Sequence, residues 1–169
     1  PGGPLSDVLF KLSDPPTSDA RCCLRPSGVQ PKRDREAVAP GHRGGRAPGA
    51  LQAMLAVASG SSPEGLVQKL HQTGLSEYFG QHVYSSHQVE RGKPAPDLFL
   101  FTAESLGVRP EDCTVIEDSA KGIKAAVSAN MRAIGFTGGG HCGPGHADRL
   151  LAEGANAVVK HMRDLRNVV

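Results

Sequence analysis

Apolar residues from residue 51 onward fall into short runs separated by longer amphipathic stretches. The runs have the length of buried strands rather than of helices. Five of them are expected to form strands: Leu55–Ala58, His82–Ser85, Cys113–Glu117, Arg132–Phe136 and Ala157–Val159. Strands that alternate with helices along a chain are typical of a parallel α/β sheet. We therefore predict an α/β fold for this part of the chain.

The stretches between the runs carry helix signals at their ends. Ser61 or Ser62 can cap a helix that has Pro63 and Glu64 in its first turn and ends at Gly74. Further helical segments are predicted at Leu75–Phe79, Pro96–Leu106, Ala120–Ala129 and Ala147–Glu153, with a short helix at the C-terminus. In the helix at 120–129, Ile123, Ala126 and Val127 are expected to pack inward.

The ends of three predicted strands carry polar or flexible residues. Ser59 follows the first strand, Glu117-Asp118 closes the third, and Thr137-Gly138 follows the fourth. Ligands of parallel sheets bind outside the carboxyl ends of the strands. The pattern therefore predicts that these residues converge on one side of the sheet.

Residues 1–50 differ in composition from the rest of the chain. They hold eight Pro, seven Gly and six Arg, and their eight Lys and Arg against five acids give a net charge of +3. The remainder has eleven against twelve, or −1. Beyond Val8-Leu9-Phe10 there is hardly an apolar run, too little to offset the entropy of an ordered chain. We predict a low-complexity segment at 1–50, disordered or loosely attached, and an ordered domain at 51–169.

The composition of the whole chain argues against several classes of function. A net charge of +2 over 169 residues is too small to indicate a nucleic-acid or membrane partner. No apolar run approaches the ~20 residues that span a bilayer, and nothing resembles a signal peptide. The cysteines at 22, 23, 113 and 142 lack metal-ligand pairing and the density of a disulfide scaffold. We expect a reducing, cytoplasmic setting, and the oligomeric state stays open.

Gly92-Lys93-Pro94-Ala95-Pro96-Asp97 places a lysine in a rigid turn before a predicted helix. The prolines keep this stretch out of the helical conformation. The turn therefore aims the Lys93 ammonium rather than leaving it free, and a fixed cation can neutralise the charge of an anionic substrate.

Val115-Ile116-Glu117-Asp118-Ser119 ends an apolar strand in two adjacent carboxylates. Where the backbone turns after the strand, both can reach one cation, and Mg²⁺ commonly takes one or two carboxylates together with waters and phosphate oxygens. Two neighbouring carboxylates repel each other unless a cation compensates them. The alternative is that Asp118 only caps the following helix.

Ser59-Gly60-Ser61-Ser62 joins the first strand to the first helix. The Ser59 hydroxyl and the amides of Gly60 and Ser61 can hold a phosphate at the positive end of that helix. A plain capping cluster explains the same residues when they are taken alone. Phosphate binding is favoured once Lys93 and Asp118 are considered with them.

These three motifs, in this order and spacing, resemble the haloacid dehalogenase (HAD) superfamily, in particular its β-phosphoglucomutase-like phosphatase branch. The resemblance extends over residues 53–164 and implies a Rossmann-like three-layer α/β core with a parallel sheet. It implies that Ser59, Gly60 and Lys93 bind phosphate and that Asp118, with Glu117 as its partner, holds Mg²⁺. Catalytic roles then fall on Ser59, Lys93 and Asp118, and the partner is a small phosphorylated metabolite such as a sugar phosphate.

The chain departs from the family near its N-terminus. HAD phosphatases carry Asp-x-Asp-Gly-Thr after an apolar strand; the first Asp is the nucleophile and the second the general acid/base. No such run is present, and the aspartates before residue 97 are Asp7, Asp14, Asp19 and Asp34. Asp7 precedes Val8-Leu9-Phe10, which is opposite to the family's order. We expect a core that is incomplete at its N-terminus, without a central strand between those of Ser59 and Asp118, and without a complete cap domain.

Two explanations of this departure stay open. The chain is truncated, or residues 1–50 are a wrong reading frame or a non-homologous start joined to a genuine C-terminal half. Under the second explanation, the upstream DNA contains Asp-x-Asp-Gly-Thr in one of its frames.

The function implied is a Mg²⁺-dependent phosphatase, a phosphoric monoester hydrolase, impaired by the missing nucleophile motif. The first alternative is an inactive remnant or phosphate-binding module, which Mg²⁺-dependent phosphate release would distinguish. The second alternative is a sugar phosphomutase of the same branch, which the residues of a cap would decide.

The run from Thr137 to His146 is rich in glycine. His141, Cys142 and His146 can be drawn as a zinc site, but three ligands so close together, with no fourth nearby, are weak evidence. A mobile loop that borders the mouth of the active site is the favoured interpretation.

Overall fold

The structure is a computed structural model that describes the backbone of residues 8–12 and the whole of residues 54–168. The strands are β1 (Val8–Leu12), β2 (Leu55–Ser59), β3 (Val83–Ser85), β4 (Cys113–Glu117), β5 (Arg132–Phe136) and β6 (Ala157–Val159). The α-helices are α1 (Pro63–Gln72), α2 (Ser76–Phe79), α3 (Asp97–Leu106), α4 (Ala120–Ser128) and α5 (His146–Ala152). Short 3₁₀ helices occupy Ser86–Gln88, Pro110–Asp112 and Met162–Asn167. None of the helices described is both long enough and apolar enough to cross a membrane.

The strands form one sheet in the order β3-β2-β1-β4-β5-β6. Parallel pairing joins β2 to β3, β4 to β5 and β5 to β6, as the alternation of strands and helices predicts. β1 runs antiparallel to both of its neighbours, β2 and β4. The predicted α/β fold is confirmed, with one central strand of opposite direction.

β1 occupies the position where a central strand was expected to be missing. Val8 pairs with Ala58 on one side, and Leu9 pairs with Ile116 on the other. An empty position there would leave two rows of backbone groups without partners, so even a short apolar run gains hydrogen bonds by entering it. The expectation of an absent strand is therefore corrected. Residues 13–53 lie outside the described part of the chain, and the boundary at residue 50 stays a prediction.

Helices cover both faces of the sheet and produce the three predicted layers. Along β2 the side chains alternate between the two faces: Ala56 and Ala58 join the core under α3 and α4, while Val57 packs against α1 and α2. A third cluster lies under the C-terminal 3₁₀ helix, where Ile116 and Ile134 contact Leu165. The strands are thus buried on both sides, as is typical of parallel sheets.

The helix boundaries follow the local signals with small shifts. Ser62, rather than Ser61, caps α1, and its hydroxyl accepts from the Gly65 amide at 3.2 Å. Gly107 ends α3 in the left-handed conformation at φ 69°. The expectation that Val127 packs inward is wrong, because 45% of it is exposed and Ala125 is buried instead. The buried side of α4 therefore carries Ala125 together with Ile123 and Ala126, in place of the predicted Val127.

Candidate active site

Lys93 is held at the carboxyl end of the sheet by three contacts. Its Nζ lies 3.0 Å from Glu117 Oε2 and donates to the carbonyl oxygen of Ala58 at 3.2 Å. The same ammonium lies 5.1 Å from the centre of the Phe99 ring, within the range of a cation–π contact. Only 12% of the Lys93 side chain is exposed. The chain therefore keeps a positive charge in one place, next to the residue that precedes Ser59.

Glu117 is buried, and both oxygens of its carboxylate have partners within the chain. Oε2 is paired with Lys93, and Oε1 accepts from the Ser119 hydroxyl at 2.6 Å and from the Ser119 amide at 3.3 Å. Burial raises the pKa of Glu117, whereas Lys93 and the Ser119 hydroxyl lower it. This arrangement favours a role in positioning Lys93 over the direct metal ligation predicted for Glu117.

Asp118 follows β4 directly and is 7% exposed. Its Oδ2 lies 3.3 Å from Nε2 of His141, and its backbone carbonyl oxygen lies 2.6 Å from Nε2 of His146. The two adjacent carboxylates therefore have different partners: that of Glu117 contacts Lys93, and that of Asp118 contacts the loop after β5. The sequence alone suggested that both reach one cation.

Ser59 ends β2 and is fully buried. Its Oγ accepts from the Ser61 amide at 2.9 Å, which leaves the hydroxyl proton to donate elsewhere. The Ser61 amide, expected to face a phosphate, is thus used within the turn. Around Gly60 no heavy atom lies within 4 Å of the position that a Cβ would take, so the backbone there is open to approach.

Two residues that contact the Glu117 side chain or leave room for it were not predicted as site residues. Ser119, rather than Asp118, caps α4, and its hydroxyl also donates to Glu117. A Cβ on Gly122 would lie 2.0 Å from Cδ of Glu117, so the buried carboxylate requires glycine at that position. The local signal is a serine followed three residues later by glycine, which does not differ from an ordinary helix start.

Comparison with known families identifies the class of protein that this fold and site define. The profile of the haloacid dehalogenase-like hydrolases matches residues 12–130, well over half of the chain. The chain therefore belongs to the haloacid dehalogenase-like hydrolase family. The match begins upstream of residue 53, where the resemblance seen in the motifs begins.

Two of the curated relatives are a phosphatase and a mutase. Fructose-1-phosphate phosphatase YqaB of Escherichia coli (strain K12) is 42% identical over 80 residues, which cover 47% of this chain and 42% of that enzyme. Beta-phosphoglucomutase of Bacillus subtilis (strain 168) is 43% identical over 75 residues, covering 44% of this chain and 29% of the mutase. The chain spans less than half of the length of these curated relatives.

A solved structure supports the same family. The HAD family hydrolase from Deinococcus radiodurans R1, with bound phosphate and sodium, superposes with a TM-score of 0.57 and 38% identity. The superposition covers 64% of this chain and 48% of the other. The predicted family, with its phosphatase and phosphoglucomutase relatives, is confirmed.

Proposed function

We propose that this chain contains the phosphate-binding and metal-binding part of a Mg²⁺-dependent phosphatase for a small phosphorylated metabolite such as a sugar phosphate. The observation that carries the proposal is the buried Lys93–Glu117 pair, fixed beside the strand that ends in Ser59. A cation held in this way needs no reorganisation when negative charge develops on a phosphoryl group. The similarity to a fructose-1-phosphate phosphatase supports the same substrate class.

Each site residue has its own task in this proposal. The Ser59 hydroxyl donates its proton to a phosphoryl oxygen, since the bond from the Ser61 amide uses only a lone pair of Oγ. Gly60 lets the phosphate approach the backbone at the start of α1. Lys93 neutralises the charge of the phosphoryl group, and Glu117 holds Lys93 in position.

The donor chemistry of Asp118 fits Mg²⁺. A carboxylate at the end of a strand is a hard oxygen ligand, and Mg²⁺ usually keeps several waters, so one or two protein carboxylates are enough. Glu117 is less suited to ligate, since Lys93 and Ser119 already donate to its oxygens. Bound Mg²⁺ supplies further positive charge to the phosphoryl oxygens.

The group that attacks the phosphorus is not among the residues assigned above, because the chain has no Asp-x-Asp-Gly-Thr. Asp7 precedes the apolar run that begins at Val8, whereas the nucleophile of the family follows its strand. This difference argues against Asp7 as the nucleophile only if the strand is parallel to its neighbours. β1 is antiparallel, and Val8 pairs with Ala58 near the carboxyl end of β2. Asp7 itself lies outside the described residues. It is the first carboxylate to substitute if the chain turns over substrate.

Hydrolysis of p-nitrophenyl phosphate by the purified chain tests the proposal. We expect turnover that requires Mg²⁺, stops with chelator, and falls by about 100-fold or more in Asp118→Asn. Asp112→Asn is the matched control, because Asp112 lies just before β4 and pairs on the surface with Arg109. Turnover that survives both chelation and Asp118→Asn would overturn the proposal. Loss of turnover in Asp7→Asn would make Asp7 the candidate for the replacement nucleophile.

The missing motif favours a second candidate, a phosphate-binding module without turnover. It predicts that inorganic phosphate binds to the chain in calorimetry, that Lys93→Met abolishes the binding, and that no Mg²⁺-dependent hydrolysis occurs. The similarity to Beta-phosphoglucomutase supports a sugar phosphomutase as a further alternative. A mutase would interconvert sugar phosphate isomers without releasing inorganic phosphate.

A further inference from the structure

The glycine-rich loop after β5 brings three possible metal ligands together. One ligand atom from each of His141, Cys142 and His146 lies within 4.8 Å of the other two. Cys142 Sγ is 3.6 Å from Nε2 of His141. The ligands of a tetrahedral Zn²⁺ ion, bound at about 2.0–2.3 Å, lie roughly 3.5 Å apart. The three ligand atoms therefore need to move only slightly closer together to bind one ion.

Asp118 lies beside this group and is the candidate for a fourth ligand, from outside the three ligand atoms that meet within 4.8 Å. Its Oδ2 lies 3.3 Å from Nε2 of His141, the same nitrogen that faces Cys142. Histidine nitrogen, cysteine sulfur and aspartate oxygen are the three donor types that Zn²⁺ binds in four-coordinate sites. Within the sequence of the loop, no fourth ligand lies near these three residues. The fold brings a carboxylate next to His141 from the end of β4.

The backbone of the loop is shaped around these side chains. A Cβ on Gly139 would lie 2.7 Å from Cε1 of His141, so a larger residue there would push the ring aside. Nε2 of His146 contacts the carbonyl oxygen of Asp118 at 2.6 Å. Histidines that bind a metal through one ring nitrogen commonly donate the other N–H to such a carbonyl. The remaining nitrogen, Nδ1, accepts from the exposed Arg149, which an ion would displace.

We propose that His141, Cys142, His146 and Asp118 form a second metal site, for a transition-metal ion such as Zn²⁺. Sulfur and nitrogen donors select against Mg²⁺, which takes oxygen ligands. Because Asp118 belongs to both sites, an ion bound to the loop withdraws the carboxylate that is assigned to Mg²⁺. Zn²⁺ would then act as an inhibitor. The inhibition rests on the proposed phosphatase function, whereas the binding does not.

Cobalt(II) is the probe for the site, because its absorption spectrum reports both tetrahedral geometry and thiolate ligation. The parent for all measurements is the full chain with Cys22→Ser and Cys23→Ser, so that these cysteines do not contribute. We expect one Co²⁺ per chain, with intense ligand-field bands and a sulfur-to-cobalt charge-transfer band. Added Zn²⁺ should displace Co²⁺, and excess Mg²⁺ should not.

Substitutions in the parent locate the site. Cys142→Ser should abolish the charge-transfer band, whereas Cys113→Ser should leave it unchanged. Cys113 is a matched control because it is buried in the core, 1% exposed, and does not belong to the group of ligand residues in the loop. His141→Gln should weaken Co²⁺ binding by about 100-fold or more, beyond the 10–100-fold typical of residues that only support a ligand. His141 is exposed, so this variant is expected to fold, and circular dichroism checks each variant.

Three results would overturn the proposal: a parent that shows no charge-transfer band in excess Co²⁺, a band that survives Cys142→Ser, or an affinity that His141→Gln leaves unchanged. If the chain hydrolyses phosphate esters, Zn²⁺ should inhibit the parent at concentrations about 100-fold lower than those that inhibit Cys142→Ser. Equal inhibition of the two would overturn the inhibitory role alone. The cobalt spectra need no turnover, so a failure of the phosphatase proposal does not affect this test.

Discussion

Lys93 and Glu117 are buried together, with 12% and 1% of their side chains exposed. Removing two charges from water costs more than their attraction returns unless further hydrogen bonds satisfy both groups. The carbonyl of Ala58 and the hydroxyl of Ser119 provide those bonds. A pair of this kind is weak evidence for stability. At the scale of single residues it is better explained as a device that fixes the direction of one ammonium group.

Lys93→Met should lower the free energy of unfolding by about 3 kcal/mol, because it leaves the Glu117 carboxylate buried without its cation. The double variant Lys93→Met/Glu117→Gln should recover most of that loss. Urea unfolding at neutral pH measures both. Arg109→Met, which removes a guanidinium from the exposed ion pair with Asp112, is the control and should change little. A single variant as stable as the parent would contradict the pairing.

The penalty in Lys93→Met should also depend on pH. Burial already raises the pKa of Glu117, and removing Lys93 takes away a cause that lowers it. The folded variant then holds a proton at pH values where the unfolded chain has released it. Its stability therefore falls as pH rises through the interval between the ordinary and the raised pKa of Glu117, more steeply than in the parent. If the stability of Lys93→Met and that of the parent changed with pH in parallel, Glu117 would not be a buried, unpaired carboxylate in the variant.

At the scale of elements, α1 and α4 begin in the same way and differ in what lies behind the cap. In each, a serine hydroxyl accepts from the amide of a glycine three residues later: Ser62 from Gly65, and Ser119 from Gly122. In α4 the Ser119 hydroxyl also donates to Glu117. The start of α4 therefore caps a helix and holds a buried carboxylate with one side chain.

Gly122→Ala should destabilise the chain by about 1–3 kcal/mol, although alanine is the better helix former, because its Cβ would overlap the Glu117 side chain. Gly65→Ala is the matched control at the same position of α1. Its Cβ meets only the Ser62 hydroxyl oxygen, at 3.2 Å, and we expect little change. Thermal unfolding of both variants checks the comparison. If the two variants melt alike, the close approach of Glu117 to α4 is wrong.

At the scale of the whole molecule, the direction of β1 decides how the sheet is completed. The strand pairs with β2 and β4 and so joins the two parallel parts of the sheet, β2 with β3 and β4 with β5 and β6. Its antiparallel direction is the main departure from the parallel sheet that the resemblance implies. The apolar run that forms it lies in a segment whose composition predicts disorder.

Lys11→Pro tests the central position of β1. Lys11 is paired with Leu55 and with Thr114, and proline within a central strand removes a ladder hydrogen bond. We expect insoluble protein, or unfolding at markedly lower urea concentration. Lys11→Thr, which keeps the backbone donor and favours a strand, should behave like the parent. A Lys11→Pro chain with parental stability would contradict this topology.

Much of the fold could be predicted because its signals are local. β4, β5 and β6 begin and end at the residues expected, since apolar runs of strand length specify them. The predicted ends of the helices differ from the observed ends by one or two residues, because neighbouring residues can each serve as a cap. Val127 was misplaced because the side that a short helix presents to the sheet depends on its packing, which a pattern of small apolar residues does not define.

From residue 54 onward, the sequence by itself determined the order of strands and helices. It also determined the family and predicted which residues lie at the carboxyl ends of the strands. It did so because hydrophobic period, capping and turn chemistry act between residues close together in the chain. Only the tertiary structure decided that β1 is antiparallel, that Glu117 pairs with Lys93, and that Asp118 meets His141. Those contacts join segments far apart in sequence, and their geometry depends on how the sheet brings the strand ends together.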